Sequence, residues 1–174
     1  MEKTKNNYAS VAVLFIDEVE ILFIKRSENM PTHKGHIAFP GGKKEKNDTS
    51  IIHTAVREAT EELLIPDYLI TPFGYIDSVD TVEYKFEVFP ILCFLENKPK
   101  KFNKNEVQKV LYASIDDLKH EKNWLYRGFY PNDWIFNIDD EILWGATAKM
   151  IRNILNLDLD LSLIHISEPT RLSA

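Results

Sequence analysis

The sequence predicts an α/β sandwich, a mixed sheet held between helices. Three observations carry that expectation. Short segments rich in β-branched and aromatic residues recur along the 174-residue chain, bounded by Gly, Pro, Asn and Asp. Two longer segments instead place apolar residues at helical spacing. Strands and helices alternate along the chain, and such elements bury their apolar sides best as a sheet covered on both faces.

Taken in order, residues 8–16 and 20–25 read as two strands joined at Asp17-Glu18. Residues 27–35 are polar and contain Pro31, so they are loop. Residues 36–39 form a short strand that ends in a turn at Pro40-Gly41-Gly42, and a charged loop follows over 43–49. Asp48, Thr49 or Ser50 can cap the next helix. On residues 50–64 at helical spacing, Ile52, Val56, Ala59 and Leu63 share the core side, and Arg57, Glu58, Glu61 and Glu62 share the other. Pro66 supplies the stop.

Two β-rich stretches follow, 69–78 and 84–95, and then a lysine-rich loop over 96–104. Residues 107–112 read as a strand, and Ser114 caps a short helix over 114–118. Residues 124–130 and 134–138 form a hairpin around Pro131-Asn132-Asp133. Residues 142–155 are the second long helix, with Ile142, Ala146, Met150, Ile151 and Leu155 as its buried stripe.

With 44% hydrophobic residues the chain is globular, and its length suits one domain, placed at residues 1–160. A net charge of -6 argues against a nucleic-acid partner. A single cysteine, Cys93, excludes an intramolecular disulfide and suits a reducing compartment. Residues 1–7 are polar, and no apolar run is long enough to span a bilayer, so the expected location is cytoplasmic with no membrane partner. A homodimer is compatible with this composition. Residues 161–174 resemble the translation of a DNA-library adaptor and are expected to be a non-native tail.

Chemistry concentrates in the helix over 50–64. Glu58 and Glu62 are i,i+4 neighbours, and Glu58 and Glu61 are i,i+3 neighbours. Like charges at those spacings cost roughly 0.2–0.5 kcal/mol per pair, and Arg57 offsets only part of this. A divalent cation removes the repulsion, and carboxylate oxygens are the donors that Mg²⁺ or Mn²⁺ prefers. A solvated acidic face is the plainer alternative; the Gly41-Gly42 pair before the helix and its apolar side favour a site. His33, His36 and His53 form no metal-ligand pattern, and Ser27 lacks a His-Asp partner for nucleophilic chemistry.

The stretch from Gly42 through Arg57-Glu58-Ala59-Thr60-Glu61-Glu62 to Ile65 resembles the Nudix box, in which a glycine and a glutamate precede Arg-Glu-U-x-Glu-Glu-x-Gly-U, U being a bulky aliphatic residue. Asp48 replaces the first glutamate, the loop to Arg57 is one residue longer, and Leu64 stands where glycine is usual. Upstream, Arg26, Ser27, Gly35 and Phe39-Pro40-Gly41-Gly42 keep the spacing of the signature of the coenzyme A diphosphatase branch, while Pro31 stands where a second arginine is expected. Further segments that agree are Val88-Phe89-Pro90, Asn105-Glu106-Val107 and Trp144-Gly145-Ala146-Thr147-Ala148.

The resemblance implies a Nudix-type α/β/α sandwich. It also implies metal-dependent hydrolysis of coenzyme A or its derivatives to 3′,5′-ADP and 4′-phosphopantetheine. Carried onto these residues, Glu58 and Glu62 are the first metal ligands, with Glu61 next and the Gly42 carbonyl a further donor. Arg57 orients a carboxylate, and Glu61 and Glu106 are the candidate general bases. Arg26, Ser27, Lys34 and Gly41 are the expected substrate contacts, with Lys25 a further cation able to meet phosphate. Two alternatives stay open: another nucleoside diphosphate derivative (ADP-ribose, a dinucleotide or a nucleoside triphosphate), or a binding module without turnover, against which the intact acidic set argues.

Overall fold

A computed structural model describes residues 7–79 and 86–159. The expected adaptor-like tail and residues 84–85 of the β-rich stretch lie outside the described residues. Among the described residues, two strands, β1 (Tyr8–Ile16) and β2 (Glu20–Arg26), lie at the centre. Around them run β3 (Ile37–Ala38), β4 (Gly41–Lys43), β5 (Ile70–Tyr75), β6 (Glu87–Leu95) and β7 (Val107–Ser114). Together they make a seven-stranded sheet. β1 runs parallel to β6 and antiparallel to β2 and β4, so the sheet is mixed as expected.

Strand alternation sends side chains to two cores. Ala12, Leu14, Ile16, Leu22 and Ile24 meet Ala55, Ala59 and Leu63 of helix α1 (Ile51–Leu63). Val13, Ile21 and Phe23 meet the opposite layer. That layer holds α2 (Ile115–Lys119), α3 (Gly145–Ile154) and a small antiparallel sheet of β8 (Trp124–Tyr126), β9 (Trp134–Ile138) and β10 (Glu141–Leu143). Helices therefore cover both faces, and the sandwich reading holds. Among the described residues no helix is long and apolar enough to cross a membrane. Cys93 is buried in the sheet, where burial pushes its thiol up to about 12, so it is a core residue as expected.

Four local readings change. First, Gly41-Gly42 is not a turn: both glycines lie in β4, opposite Val11 and Ser10 of β1. A Cβ at Gly41 would stand 2.5 Å from the Ser10 carbonyl oxygen, so the need is close approach of two backbones. Second, the face of α1 is rotated from the expected one. Ala55, Ala59 and Leu63 are buried together with Glu62, while Ile52 is 37% exposed. Helical spacing defines neighbours on a cylinder, and the packing of the sheet selects which side turns inward.

Third, residue 142 is not helical. Ile142 pairs with Asn137 in β10 and is 41% exposed. The extended backbone of Trp144 delays α3 until Gly145, and Ala148 joins Met150 and Ile151 in its buried stripe. Fourth, the first hairpin strand stops at Tyr126, because Arg127 turns to clasp the fully buried Asp133 through two bonds of 2.8 and 3.1 Å.

The ends of α1 follow the expected chemistry. Ser50 is the cap, its Oγ accepting the His53 N–H at 3.0 Å. At the other end Leu64 adopts the left-handed region with φ 51, the conformation for which the family pattern keeps glycine. A leucine there costs roughly 1–2 kcal/mol.

Candidate functional site

α1, β4 and the loop leading into β7 meet at one edge of the sheet. β4 lies against β1, and α1 crosses behind it, so Gly42 faces the carboxylate of Glu58. A Cβ at Gly42 would run directly into Glu58 Oε1, which makes the glycine a space left for that carboxylate. Next to it, the Gly41 N–H donates to Glu62 Oε2 at 3.1 Å. Glu62 is only 2% exposed. The third acid arrives from the loop that passes the C-terminal end of α1: Glu106 lies just before β7, and its main-chain oxygen accepts the Ser27 N–H at 2.9 Å. The carboxylates of Glu58, Glu62 and Glu106 converge, each offering an oxygen within 4.8 Å of the others.

This placement differs from the expected set in one respect. Glu61 stays outside the converging group, with an exposed carboxylate that pairs with Arg57 at 3.2 Å. Glu106, read from the sequence only as a candidate base, takes the third position instead. Glu61 is one residue from Glu62 on a helix, roughly 100° around the axis, and here its carboxylate is turned to Arg57 instead.

Arg57 is the hub beside the acids. Its Nε and Nη2 donate to the two oxygens of Asp48 at 2.8 and 2.9 Å, and its Nη1 reaches Glu58 at 3.1 Å. It donates to Glu58 as well, but its principal partner is Asp48. The Asp48 carboxylate is 1% exposed and also accepts the Glu45 N–H and the Thr54 hydroxyl. Since Thr54 has one hydroxyl proton and gives it to Asp48, Tyr8 donates to Thr54 across 3.2 Å. The anchoring role of Asp48 was not read from the sequence; the acid at the Nudix glutamate position was the available signal.

The expected substrate contacts are dispersed. Arg26 sits close enough to Glu62 to favour its charged form, donates to the Thr32 carbonyl at 3.2 Å, and lines a cavity of about 40 Å³ with His33, His36 and Trp144. Ser27 is buried, and its Oγ accepts the Asn29 N–H, so it shapes the loop. Lys34 is exposed on that loop. Lys25 points elsewhere, to Glu141 at 2.8 Å.

Electrostatics set the two groups of acids apart. The Arg57 hydrogen bond holds the Asp48 carboxyl well below the usual range. Burial, then repulsion from Glu61 and Glu106, raises Glu58 to about 6 despite Arg57. Burial and the charges of Glu58 and Glu106 push Glu62 well above the usual carboxylate range. Three oxygen donors whose negative charges oppose one another fit a hard divalent cation such as Mg²⁺ or Mn²⁺.

A stability profile follows. Where the folded pKa exceeds the unfolded value, the folded state binds more protons and stability falls as pH rises. For Glu58 that window runs from about 4.5 to about 6, and Glu62 acts in the same direction. Asp48 has the opposite sign: its contribution is complete above about 4 and is lost as pH falls through the acid range. The Tm of chelator-treated protein is therefore expected to fall between about pH 4.5 and 6, and Mn²⁺ at pH 7 to restore it. A metal-free Tm that rises over that interval would contradict the burial of these acids.

The chain is similar to several known proteins. The family model described as NUDIX domain matches residues 6–132. The uncharacterized Nudix hydrolase NudL of Escherichia coli is 31% identical over 140 residues, covering 77% of this chain and 72% of that protein. Among solved structures, a Deinococcus radiodurans protein superposes with a TM-score of 0.58 at 16% identity, covering 88% of each chain. An Ap4A hydrolase of Caenorhabditis elegans gives 0.52 at 20% identity, over 62% of this chain and 80% of that one. At those identities the two structures speak for the fold alone.

Proposed function

The chain belongs to the Nudix hydrolase family, and from that premise we propose that it hydrolyses the pyrophosphate of coenzyme A or one of its derivatives. The products are 3′,5′-ADP and 4′-phosphopantetheine or its acyl form. One observation carries the reaction class: Glu58, Glu62 and Glu106 converge beside a glycine strand that leaves room for Glu58. The choice of coenzyme A rests on the segment from Arg26 to Gly42 that resembles the branch signature.

Enzymes of this family work with divalent metal ions, and Glu58, Glu62 and Glu106 are the residues that would hold one here. A bound Mg²⁺ or Mn²⁺ would neutralise phosphate charge and acidify an attacking water. The chain's own residues do the rest. The Gly41 N–H holds Glu62 in place, and Arg57 holds Glu58. Glu106 has two carboxylate oxygens, one for the cation and one to take the proton of the attacking water. Glu61, paired with Arg57, is the second candidate for that proton. Arg26, close to Glu62 and lining the small cavity, supplies positive charge to phosphate oxygens. The single cysteine fits action in a reducing compartment, the cytoplasm.

Pro31 in place of the second signature arginine favours a second reading, a nucleoside diphosphate derivative such as ADP-ribose. A substrate panel decides. Purified protein with Mn²⁺ is expected to release 3′,5′-ADP from coenzyme A faster than it cleaves ADP-ribose, a dinucleotide or a nucleoside triphosphate, read by chromatography. Cleavage of the others with coenzyme A left intact removes the branch assignment and keeps the reaction class.

A further inference from the structure

We propose that Asn103 is a positioning residue that sets the separation of Glu62 and Glu106. The inference rests on the reading of the three carboxylates as a cation site and adds to it the part that brings the third one in.

A short bridge of hydrogen bonds runs through Asn103. Its N–H donates to the Glu62 main-chain oxygen at 2.8 Å. That oxygen lies in the last turn of α1, where carbonyls have no partner within the helix. The Asn103 carbonyl in turn accepts the N–H groups of Glu106 at 3.1 Å and Val107 at 2.9 Å. One residue therefore ties the backbone of one carboxylate to the backbone of the other. The Ser27 N–H, just past the end of β2, holds the Glu106 carbonyl at 2.9 Å, so the turn is gripped from α1 and from the end of β2 at once.

Any residue could make those backbone bonds. The side chain adds something specific: Asn103 Oδ1 accepts the Asn105 N–H at 3.1 Å. This closes a side-chain turn of the kind that Asn and Asp form and that apolar residues cannot. It holds residues 103–105 in the curve that brings the Glu106 N–H back to the Asn103 carbonyl. Asn105 is exposed, so its N–H can turn to water when the acceptor is removed. Removing Oδ1 thus costs the fold little and costs Glu106 its fixed place.

The test is a Mn²⁺ titration of the full chain without substrate, read by electron paramagnetic resonance, beside a thermal melt. Asn103→Ala is expected to weaken Mn²⁺ binding by about 10-fold, the lower end of what outer partners of metal ligands supply. Asn103→Gln carries the same amide one methylene farther out, cannot close the turn, and is expected to weaken binding equally. Asn103→Asp keeps an acceptor oxygen in place and is expected to bind at least as tightly as the wild type. In assays, raising Mn²⁺ should return the kcat of Asn103→Ala toward the wild-type value. Should Asn103→Ala and Asn103→Gln bind Mn²⁺ as the wild type does while Glu106→Gln is weakened, the positioning role is overturned and the carboxylate site stands. Asn103→Asp as weak as Asn103→Ala also overturns it. Wild-type protein that takes up no Mn²⁺ removes the site and this inference together.

Discussion

Glu62→Gln is expected to lower turnover by at least about 10²-fold while raising the melting temperature of the metal-free protein at pH 7. Outer partners of metal ligands cost 10–100-fold when lost, so Glu62, proposed as a direct ligand, is placed at or beyond the upper end of that range. The substitution is mild in shape. Glutamine keeps a side-chain oxygen to accept the Gly41 N–H, so β4 and α1 keep their contact. It removes a negative charge from a side chain that is 2% exposed and that Glu58 and Glu106 both repel. Opposite signs for activity and stability are the signature of a site whose charges oppose folding until a cation arrives. Turnover within twofold of the wild type would remove Glu62 from the machinery. An unchanged or lower metal-free Tm would mean that its charge is not the unfavourable burden inferred here.

Arg57→Ala is expected to destabilise the fold by about 3 kcal/mol. Removing one partner of a buried ion pair costs roughly 3–5 kcal/mol, because the other charge is left without compensation. The lower figure applies because Arg57 retains 16% exposure, whereas Asp48 retains 1%. For a chain of this size each kcal/mol is worth roughly 2–4 °C, so the Tm should fall by about 6–12 °C. The double variant Arg57→Ala, Asp48→Ala should recover part of the loss, since no orphan carboxylate remains. A single variant melting within about 2 °C of the wild type would show that the guanidinium is a surface ornament. A double variant worse than the single would show that Asp48 serves Thr54 and Glu45 more than it serves Arg57.

These two residues also mark how far reading along the chain can reach. Glu58 and Glu62 were legible as a pair, and Arg57 as the group that orients a carboxylate, because i,i+4 spacing on a helix fixes which side chains are neighbours whatever surrounds them. β1 is reproduced residue for residue, β2 to within one residue, Ser114 as the cap of α2, and the cap of α1 as one of three adjacent polar residues, of which Ser50 serves. Where a signal is local in this sense, the amino acids alone settle it: the alternation of the central strands and the helical spacing of the acids on α1.

What only the tertiary structure decided is which of those surfaces faces what. Helical spacing puts Glu62 on the side away from the apolar residues, yet it lies in the interior, because the angle at which α1 meets the sheet is set by Ala55, Ala59 and Leu63 packing on β1 and β6, not by the helix itself. Gly41 and Gly42 read as a turn and are a strand, because the reason for glycine is a neighbour from β1 and a carboxylate from α1, both remote along the chain. Ile142 fits a helical stripe, yet pairing with β9 holds it in a strand. Glu106 lies with Glu58 and Glu62, where Glu61 does not, for the same reason. Helical spacing places Glu61 beside Arg57, but the third oxygen at the site is delivered by a loop that closes only once β2, α1 and β7 have assembled, and contacts between segments far apart in the chain carry no periodicity for the sequence to display.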